Sequence, residues 1–276
     1  MSDTSSPATG VAQPPDRSSS AGPRVPAARN TIATLRLLAA GTGPLGAGDI
    51  ARALGIPRSS TYQLLQVLVD EGVVLHLPDQ HAYTLGIGVF EFGSAYLRND
   101  PLERIARPLL SGLAQRTGAT AQLGILEGTE TLYLLKEQRT RRPTPLVTGV
   151  GVRLPAHLTA SGRSMLALLP DAEVETAFCD PGSFSDRTGL GPRSTVELLQ
   201  LLRGDRRLGY AVEQGAVTSG VTCVAAAAAD RRGRPVASIT VSFPTADVPG
   251  NSIAAVAGTV VQTALSLSKR LGGGRP

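Results

Sequence analysis

Residues 49–68, DIARALGIPRSSTYQLLQVL, carry the pattern that decides the fold of the first part of this chain. Ile50, Ala53 and Leu54 fall at i, i+3 and i+4, one apolar face of a short helix. Gly55 stands where a helix ends in a left-handed residue, and Pro57 where the next helix begins. Thr61, Leu64, Leu65 and Leu68 then repeat at helical spacing, leaving Arg58, Ser59, Ser60, Gln63 and Gln66 on the other side. Helix, Gly-containing turn, helix is the layout of a helix-turn-helix, whose second helix enters the DNA major groove. An αα-hairpin in an ordinary core shares the same local pattern.

The flanks separate these two readings. Upstream, TIATLRLLAA (31–40) places Ile32, Leu35, Leu38 and Ala39 on one helical face, with Asn30 as N-cap and Gly41 as stop. Downstream, VVLHL (73–77) and AYTLG (82–86) flank Pro-Asp-Gln-His (78–81), a hairpin pattern. Three helices followed by a hairpin make a winged helix, and a fortuitous αα-hairpin does not predict the wing. Charge agrees. Residues 24–66 hold five Arg against Asp49 alone, a local +4, while residues 67–100 hold five acids against Arg98, a local −4. The basic excess therefore lies on the helices that would meet phosphate. A second knot, Arg139, Arg141 and Arg142, reads as a solvated turn before it reads as another nucleic-acid site.

A length of 276 residues allows two domains with their own cores. Residues 1–26, rich in Ser, Pro, Gly and Ala, have no apolar h-region and are expected to form a disordered tail. No apolar run approaches the roughly 20 residues of a membrane span. Two cysteines, Cys179 and Cys223, argue against a disulfide framework and fit a reducing cytoplasm. After the winged helix at 27–86, GIGVFEFGSAYL (86–97) reads as a linker helix at 87–99, and Asp100-Pro101 marks a boundary. Residues 100–272 then alternate between helices and strands. An amphipathic helix (101–116) interrupted by Pro108 precedes strands at 120–126 and 131–137, a third strand at 145–155 and a helix at 158–169. A further helix, a hairpin across DRRGRP (230–235) and a closing helix at 253–271 complete an α+β sensor-type domain.

Enzyme signatures fail one by one. No Gly-x-Ser-x-Gly elbow or Gly-x-x-x-x-Gly-Lys loop occurs, and the Gly-x-Gly pairs at 86 and 149 lack the third Gly of a dinucleotide site. The three His do not cluster with Cys or carboxylates at metal spacing, so neither metal nor cofactor is implied. His157 and Ser161 stand at i, i+4 and could mimic a base–nucleophile pair, but a polar cluster at a helix start without catalysis is the better reading. Cys223, flanked by strand residues, is read as a buried small hydrophobe or a ligand contact.

The order of these pieces resembles the isocitrate-lyase-regulator (IclR) family of bacterial transcription factors. LGIPRSSTYQLLQVLVDEG (54–72) is similar to its reading-helix signature, and RLPAHLTASGRSMLA (153–167) to its Pro-x-His-x-Thr/Ser-Ala-x-Gly-Lys element. RRLGYAVEQGAVTSGVTCVAAAAAD (206–230) and ASITVSFP (237–244) are similar to two further family stretches. The resemblance implies a winged helix tethered to a GAF-like α/β effector domain, and dimers or tetramers on near-palindromic operators modulated by a small organic molecule. By position it implies an effector pocket of Ala160, Ser161 and Gly162, then Glu213, Cys223, Thr240 and Ser242. Backbone N–H groups at a helix start suit anions, such as a carboxylate or aromatic acid. The chain departs from the family pattern at Tyr62-Gln63, where His-Arg is commoner, and at Arg163, where Lys is usual. Thr240 stands where Ser is frequent, and Ala227-Ala228-Ala229 is smaller than usual.

On DNA, Ser59, Ser60, Tyr62 and Gln63 are expected near base edges, since Gln pairs bidentately with adenine and Ser is permissive. Arg58 and Thr31 are expected on phosphates. Arg36 is either a phosphate clamp or an exposed helix residue, and His76, Gln80 and His81 in the wing either reach the groove or touch nothing. The sequence thus describes a cytoplasmic, ligand-responsive, homo-oligomeric regulator of double-stranded operator DNA, a repressor before an activator. Its rivals are an enzyme with an accessory DNA-binding module and a ligand-free architectural protein.

Overall fold

The computed structural model describes residues 25–99, 101–138, 148–247 and 252–272. The tail at 1–24, the Arg139–Arg141–Arg142 knot and the start of the strand expected at 145–155 lie outside the described residues. Contacts divide the chain into two units, one ending at Tyr96 and one beginning at Leu97.

In the first unit α1 (Pro26–Ala40), β1 (Leu45–Gly46), α2 (Ala47–Leu54), α3 (Arg58–Asp70), β2 (Val74–Leu77) and β3 (Ala82–Leu85) follow in order, and α4 (Ile87–Asn99) runs across the boundary. The strands form an antiparallel sheet, β1-β3-β2, so the hairpin is a wing backed by a short third strand. Helix α1 starts earlier than expected. Its N-cap is Val25, with Pro26 at the first helical position, and Asn30 lies inside the helix. Proline fixes its own φ at a helical value and its missing N–H is one the first turn does not need, which favours this start. The buried face of α1 is Thr34 and Leu38, while Ile32 is 49% exposed and Ala39 is exposed. An alanine- and leucine-rich helix offers more than one apolar stripe, and its neighbours choose between them. In α2 Ile50 and Ala51 are buried and Ala53 faces out.

The turn of the motif forms as its residues dictate. Gly55 takes φ 65°, ψ 29°, and the Ile56 N–H returns to the Ala51 carbonyl at 3.0 Å. Thr61, Leu65 and Leu68 of α3 are buried with Leu38, Ile50, Val73 and Val74 in one core. A second glycine pair fixes how the wing leads into α4. A Cβ on Gly86 would stand 2.3 Å from the Gly72 carbonyl oxygen, and the Gly86 and Gly88 N–H groups donate to Val73 and Gly72.

The second unit runs α5 (Pro101–Thr117), β4 (Thr120–Glu127), β5 (Glu130–Glu137), β6 (Arg153–Pro155), α6 (Ala160–Leu166), α7 (Asp171–Ala177), α8 (Thr195–Leu208), β7 (Ala211–Gln214), β8 (Val221–Ala229), β9 (Pro235–Pro244) and α9 (Ser252–Arg270). Its six strands form one antiparallel sheet in the order β6-β5-β4-β9-β8-β7. Helix α5 continues through Pro108. The expected third strand is confined, among described residues, to Arg153–Pro155, and the helix expected at 158–169 to Ala160–Leu166; α7 and β7 were not anticipated.

Strand alternation sorts the two sheet faces. In β9, Ala237, Ile239, Val241 and Phe243 join α5 and α9 in the main core, as do Ala121 and Leu123 of β4 and Val224 and Ala226 of β8. The intervening Ser238, Thr240 and Ser242, all at most 1% exposed, belong to the other face with Gln122 and Cys223. Helix α6 packs on that face so closely that Gly124 is required, and the segment leading into α6 lies so close against the helix that Gly162 is required. A Cβ on Gly162 would meet the Ala156 Cα at 2.4 Å, and one on Gly124 the Ser161 hydroxyl at 2.6 Å. A polar sheet face under a closely seated helix start is what builds the site.

Candidate nucleic-acid interface and effector pocket

On α3, Arg58, Ser59, Ser60, Tyr62 and Gln63 are exposed along one side, opposite the buried Thr61, Leu65 and Leu68. Tyr62 is 56% exposed. Gln66 is engaged with Asp70 at 2.8 Å. Arg36 is exposed on α1, and Thr31, half-buried, donates its hydroxyl to the Ala27 carbonyl at 2.9 Å. That internal bond occupies the one proton Thr31 could offer a phosphate. Arg52 pairs with Asp49 at 3.0 Å on the surface. In the wing, His76 stacks on Tyr83 with ring centroids 4.6 Å apart, and His81 closes the turn in the left-handed region at φ 49°. Partial burial pushes the Tyr83 phenol up, and the charge of the Tyr62 phenol adds to that. These groups form a surface of hydroxyls, an amide and arginines that matches groove-edge and phosphate chemistry.

Within the second unit, Ala160, Ser161, Glu213, Cys223, Thr240 and Ser242 line one pocket together with Gln122, Tyr133, Thr148, Leu154, Thr159, Val217, Thr218 and Val221. Gly162 is the expected member that stands outside it. Its N–H is taken by the N-cap Thr159 hydroxyl at 2.9 Å and its Cα faces Ala156, so it serves helix packing rather than a ligand. The free space inside is about 20 Å³, room for about one water.

The polar walls are bonded to each other. Ser161 and Ser238 hydroxyls meet at 2.5 Å, Cys223 Sγ and Ser242 Oγ at 3.2 Å, Ser242 donates to Gln122 Oε1 at 3.1 Å, and Gln122 Nε2 to the Thr148 hydroxyl at 2.6 Å. Lys136 donates to the Thr148 carbonyl. Glu213, 3% exposed, accepts from the Ala216 and Val217 N–H groups through one carboxylate oxygen. Burial pushes the Glu213 carboxyl up, against the lowering effect of those N–H groups, Cys223 and Arg163. Burial and then the Glu213 charge push the Cys223 thiol up, and burial above all pushes the Tyr133 phenol up. Cys223 and Tyr133 therefore stay protonated, and Glu213 is the ionisable acid of the pocket.

Arg163 turns away from the pocket. Its Nε is 3.1 Å from Asp205 Oδ2 and its Nη2 donates to the Val212 carbonyl, with both side chains under a tenth exposed. Burial pulls the guanidinium down and the Asp205 carboxyl up, each opposed by the partner's charge. His157 also leaves the site. Its Nε2 bonds the Ser185 carbonyl at 3.2 Å and its ring packs edge-on against Phe178 and Phe184, so it forms no base–nucleophile pair with Ser161. No group of three or more His, Cys, Asp or Glu among the described residues could hold a metal, and no described helix is long and apolar enough to cross a membrane.

Sequence reasoning missed Gln122, Tyr133, Thr148, Thr159 and Thr218. Gln122 did leave a signal, since it breaks the apolar run of β4 at a position out of phase with Ala121 and Leu123. Tyr133, inside an apolar strand, left none.

A winged helix with an exposed polar reading helix, in one chain with an α/β domain holding a small pocket among mutually bonded polar side chains, defines a DNA-binding regulator that carries its own small-molecule sensor. The IclR helix-turn-helix domain matches residues 27–78, and the bacterial transcriptional regulator IclR C-terminal domain matches residues 94–269. The chain belongs to the IclR family of transcriptional regulators, which are not enzymes. It is 30% identical over 224 residues to the transcriptional regulator XynR of Escherichia coli K12, spanning 81% of this chain and 88% of XynR. It is 29% identical over 247 residues to the transcriptional repressor AllR of Klebsiella pneumoniae, spanning 87% and 88%. The crystal structure of Thermotoga maritima IclR superposes with a TM-score of 0.70 at 26% identity, covering 89% of this chain and 98% of that one. An IclR homologue from Microbacterium hydrocarbonoxydans, complexed with 4-hydroxybenzoate, shares the fold at a TM-score of 0.75 and 22% identity, covering 89% and 98%.

Proposed function

We propose that this regulator is a cytoplasmic repressor. It binds a near-palindromic operator as a homodimer or homotetramer, and a small organic acid in the pocket of the second unit modulates that binding. The observation that carries the sensor role is the convergence of six expected residues from α6, β7, β8 and β9 on one small pocket. The repressor reading leans on the AllR relatives. The acid class leans on the 4-hydroxybenzoate held by the Microbacterium homologue and on the hydroxyl-rich walls. A cavity of about 20 Å³ holds no such molecule, so the effector enters by moving a wall, and closed and open pockets are the two states a ligand selects between.

Residues 27–86 serve as reading head, 87–99 as linker and 100–272 as effector domain. Ser59, Ser60, Tyr62 and Gln63 meet base edges, Arg58 and Arg36 phosphates, and His81 the backbone beside the wing, with Thr31 positioned to help only if its internal bond opens. Oligomer formation finds support in α4, where Ile87, Phe90, Phe92 and Tyr96 are 54–69% exposed, more apolar surface than one helix usually leaves in water. The effector changes the spacing of two reading heads, and paired half-sites tolerate only one spacing. Titration calorimetry of the full chain with 4-hydroxybenzoate, benzoate and short aliphatic carboxylates tests the sensor, followed by operator gel shifts with whichever binds. Absence of binding across the panel refutes the acid class.

A further inference from the structure

Any occupant larger than a water must displace a wall of this pocket, and the walls are not equally held. Strands β4, β5, β8 and β9 are interior to the sheet, each paired on both sides, and its two edges are β6, which brings the apolar Leu154 to the pocket, and β7, which brings its carboxylate. Strand β7 is four residues at the sheet edge, with β8 as its one strand neighbour. It carries Glu213, and the segment after it brings Val217 and Thr218 to the pocket. An edge strand lacks a second ladder, and here the guanidinium of Arg163 stands in for one by donating to the Val212 carbonyl, next in chain to Glu213. Arg163 lies two residues after Ser161, on the helix that forms the opposite wall. Asp205 of α8 fixes the guanidinium from behind at 3.1 Å, as a charge contact rather than an aligned hydrogen bond. A planar fork spans both partners at once, which one lysine ammonium does less well.

We infer that Arg163, held by Asp205, is the positioning residue that clamps β7 to α6 and thereby sets how readily the effector pocket opens. This rests on the sensor reading of the pocket. The clamp contributes no group to the ligand. It controls the fraction of molecules whose pocket is open, and through that fraction the apparent affinity for any effector.

Cys223, half-buried on β8 directly opposite Glu213 in register, reports opening without a ligand as a rise over its basal labelling rate. In full-length Cys179→Ser protein, which removes the other, exposed thiol, Cys223 is labelled with N-ethylmaleimide under native conditions, and global stability is measured in urea. Arg163→Met and Asp205→Asn are expected to raise the labelling rate at least tenfold beyond what their change in global unfolding accounts for. Arg163→Lys is expected to fall between. Amide exchange should rise at residues 211–217 and not in β9. Labelling that tracks global unfolding in every variant, or does not change, overturns the clamp. If the Met and Asn variants do not fold, the charge-retaining Arg163→Lys decides alone, since an unaltered rate in it is equally refuting. Failure of the carboxylate panel in calorimetry strikes the sensor reading and not this measurement.

Discussion

Replacing Glu213 by Gln keeps the shape of the side chain and an oxygen to accept from the Ala216 and Val217 N–H groups, and removes one buried charge. An effector carboxylate bound in the pocket would stand beside the Glu213 carboxylate, and Arg163, the cation that acts on Glu213, is already committed to Asp205 and Val212. Two unit charges about 4 Å apart at an effective dielectric of about 20 repel by about 4 kcal/mol, close to a thousandfold in affinity. Protonation of Glu213, whose carboxyl burial has already pushed up, relieves that cost. Wild-type affinity for a carboxylate should therefore fall with rising pH, by up to about tenfold per pH unit, with about one proton taken up per ligand. Glu213→Gln should bind more tightly at pH 8, by up to about a thousandfold, with a flat pH profile and no proton uptake. Calorimetry in two buffers of different ionisation enthalpy measures the uptake directly. Stability carries the same sign. A folded-state pKa raised above the unfolded one contributes stability that is present below the ordinary carboxylate range and lost as pH rises through the raised value. The Gln variant should thus be the more stable protein at neutral pH and lose less stability between pH 5 and 8. Carboxylate binding with no proton uptake, and a wild type no more pH-sensitive than the variant, would refute the electrostatic argument.

Three further outcomes follow from the same geometry. Joint replacement of Ser59, Ser60 and Gln63 by Ala should abolish operator preference, at about 1–3 kcal/mol per lost base contact, and leave salt-sensitive non-specific binding; an operator-to-random affinity ratio that the substitutions leave unchanged rules out α3 as the reading helix. Gly86→Ala places a Cβ 2.3 Å from the Gly72 carbonyl oxygen, a backbone atom that no rotamer change can move, and should cost about 1–3 kcal/mol or more in urea unfolding of the DNA-binding unit. A loss below about 0.5 kcal/mol shows that the backbone yields there. Phe90→Ser with Phe92→Ser removes two rings that are 69% and 67% exposed in the isolated chain and should shift the sedimentation profile toward monomer; an unchanged oligomer places the interface elsewhere.

Where local chemistry sets local geometry, the residues alone were sufficient. Gly55 and Pro57 announce the motif's turn because one tolerates a left-handed φ and the other pre-sets a helical one. Alternation through residues 237–243 announces a strand with one apolar and one hydroxyl face, because successive side chains leave a strand on opposite sides. The family resemblance then gave seven positions of which six line one pocket, under half of its fourteen lining residues, since it transfers position and not packing.

Tertiary structure decided what depends on elements far apart in the chain. It chose Thr34 and Leu38 over Ile32 as the inner face of α1, and it withdrew Gly162 from the pocket by bonding its N–H to Thr159. It added Tyr133 from a strand that sequence pattern assigns only to a core, and it turned the Arg163 side chain away from the pocket onto Asp205 and the Val212 carbonyl. The division has one physical cause. Periodicity and turn chemistry are properties of consecutive residues, whereas a pocket, its volume and the charge state of Glu213 are properties of the space left when a helix from one part of the chain is pressed onto strands from another.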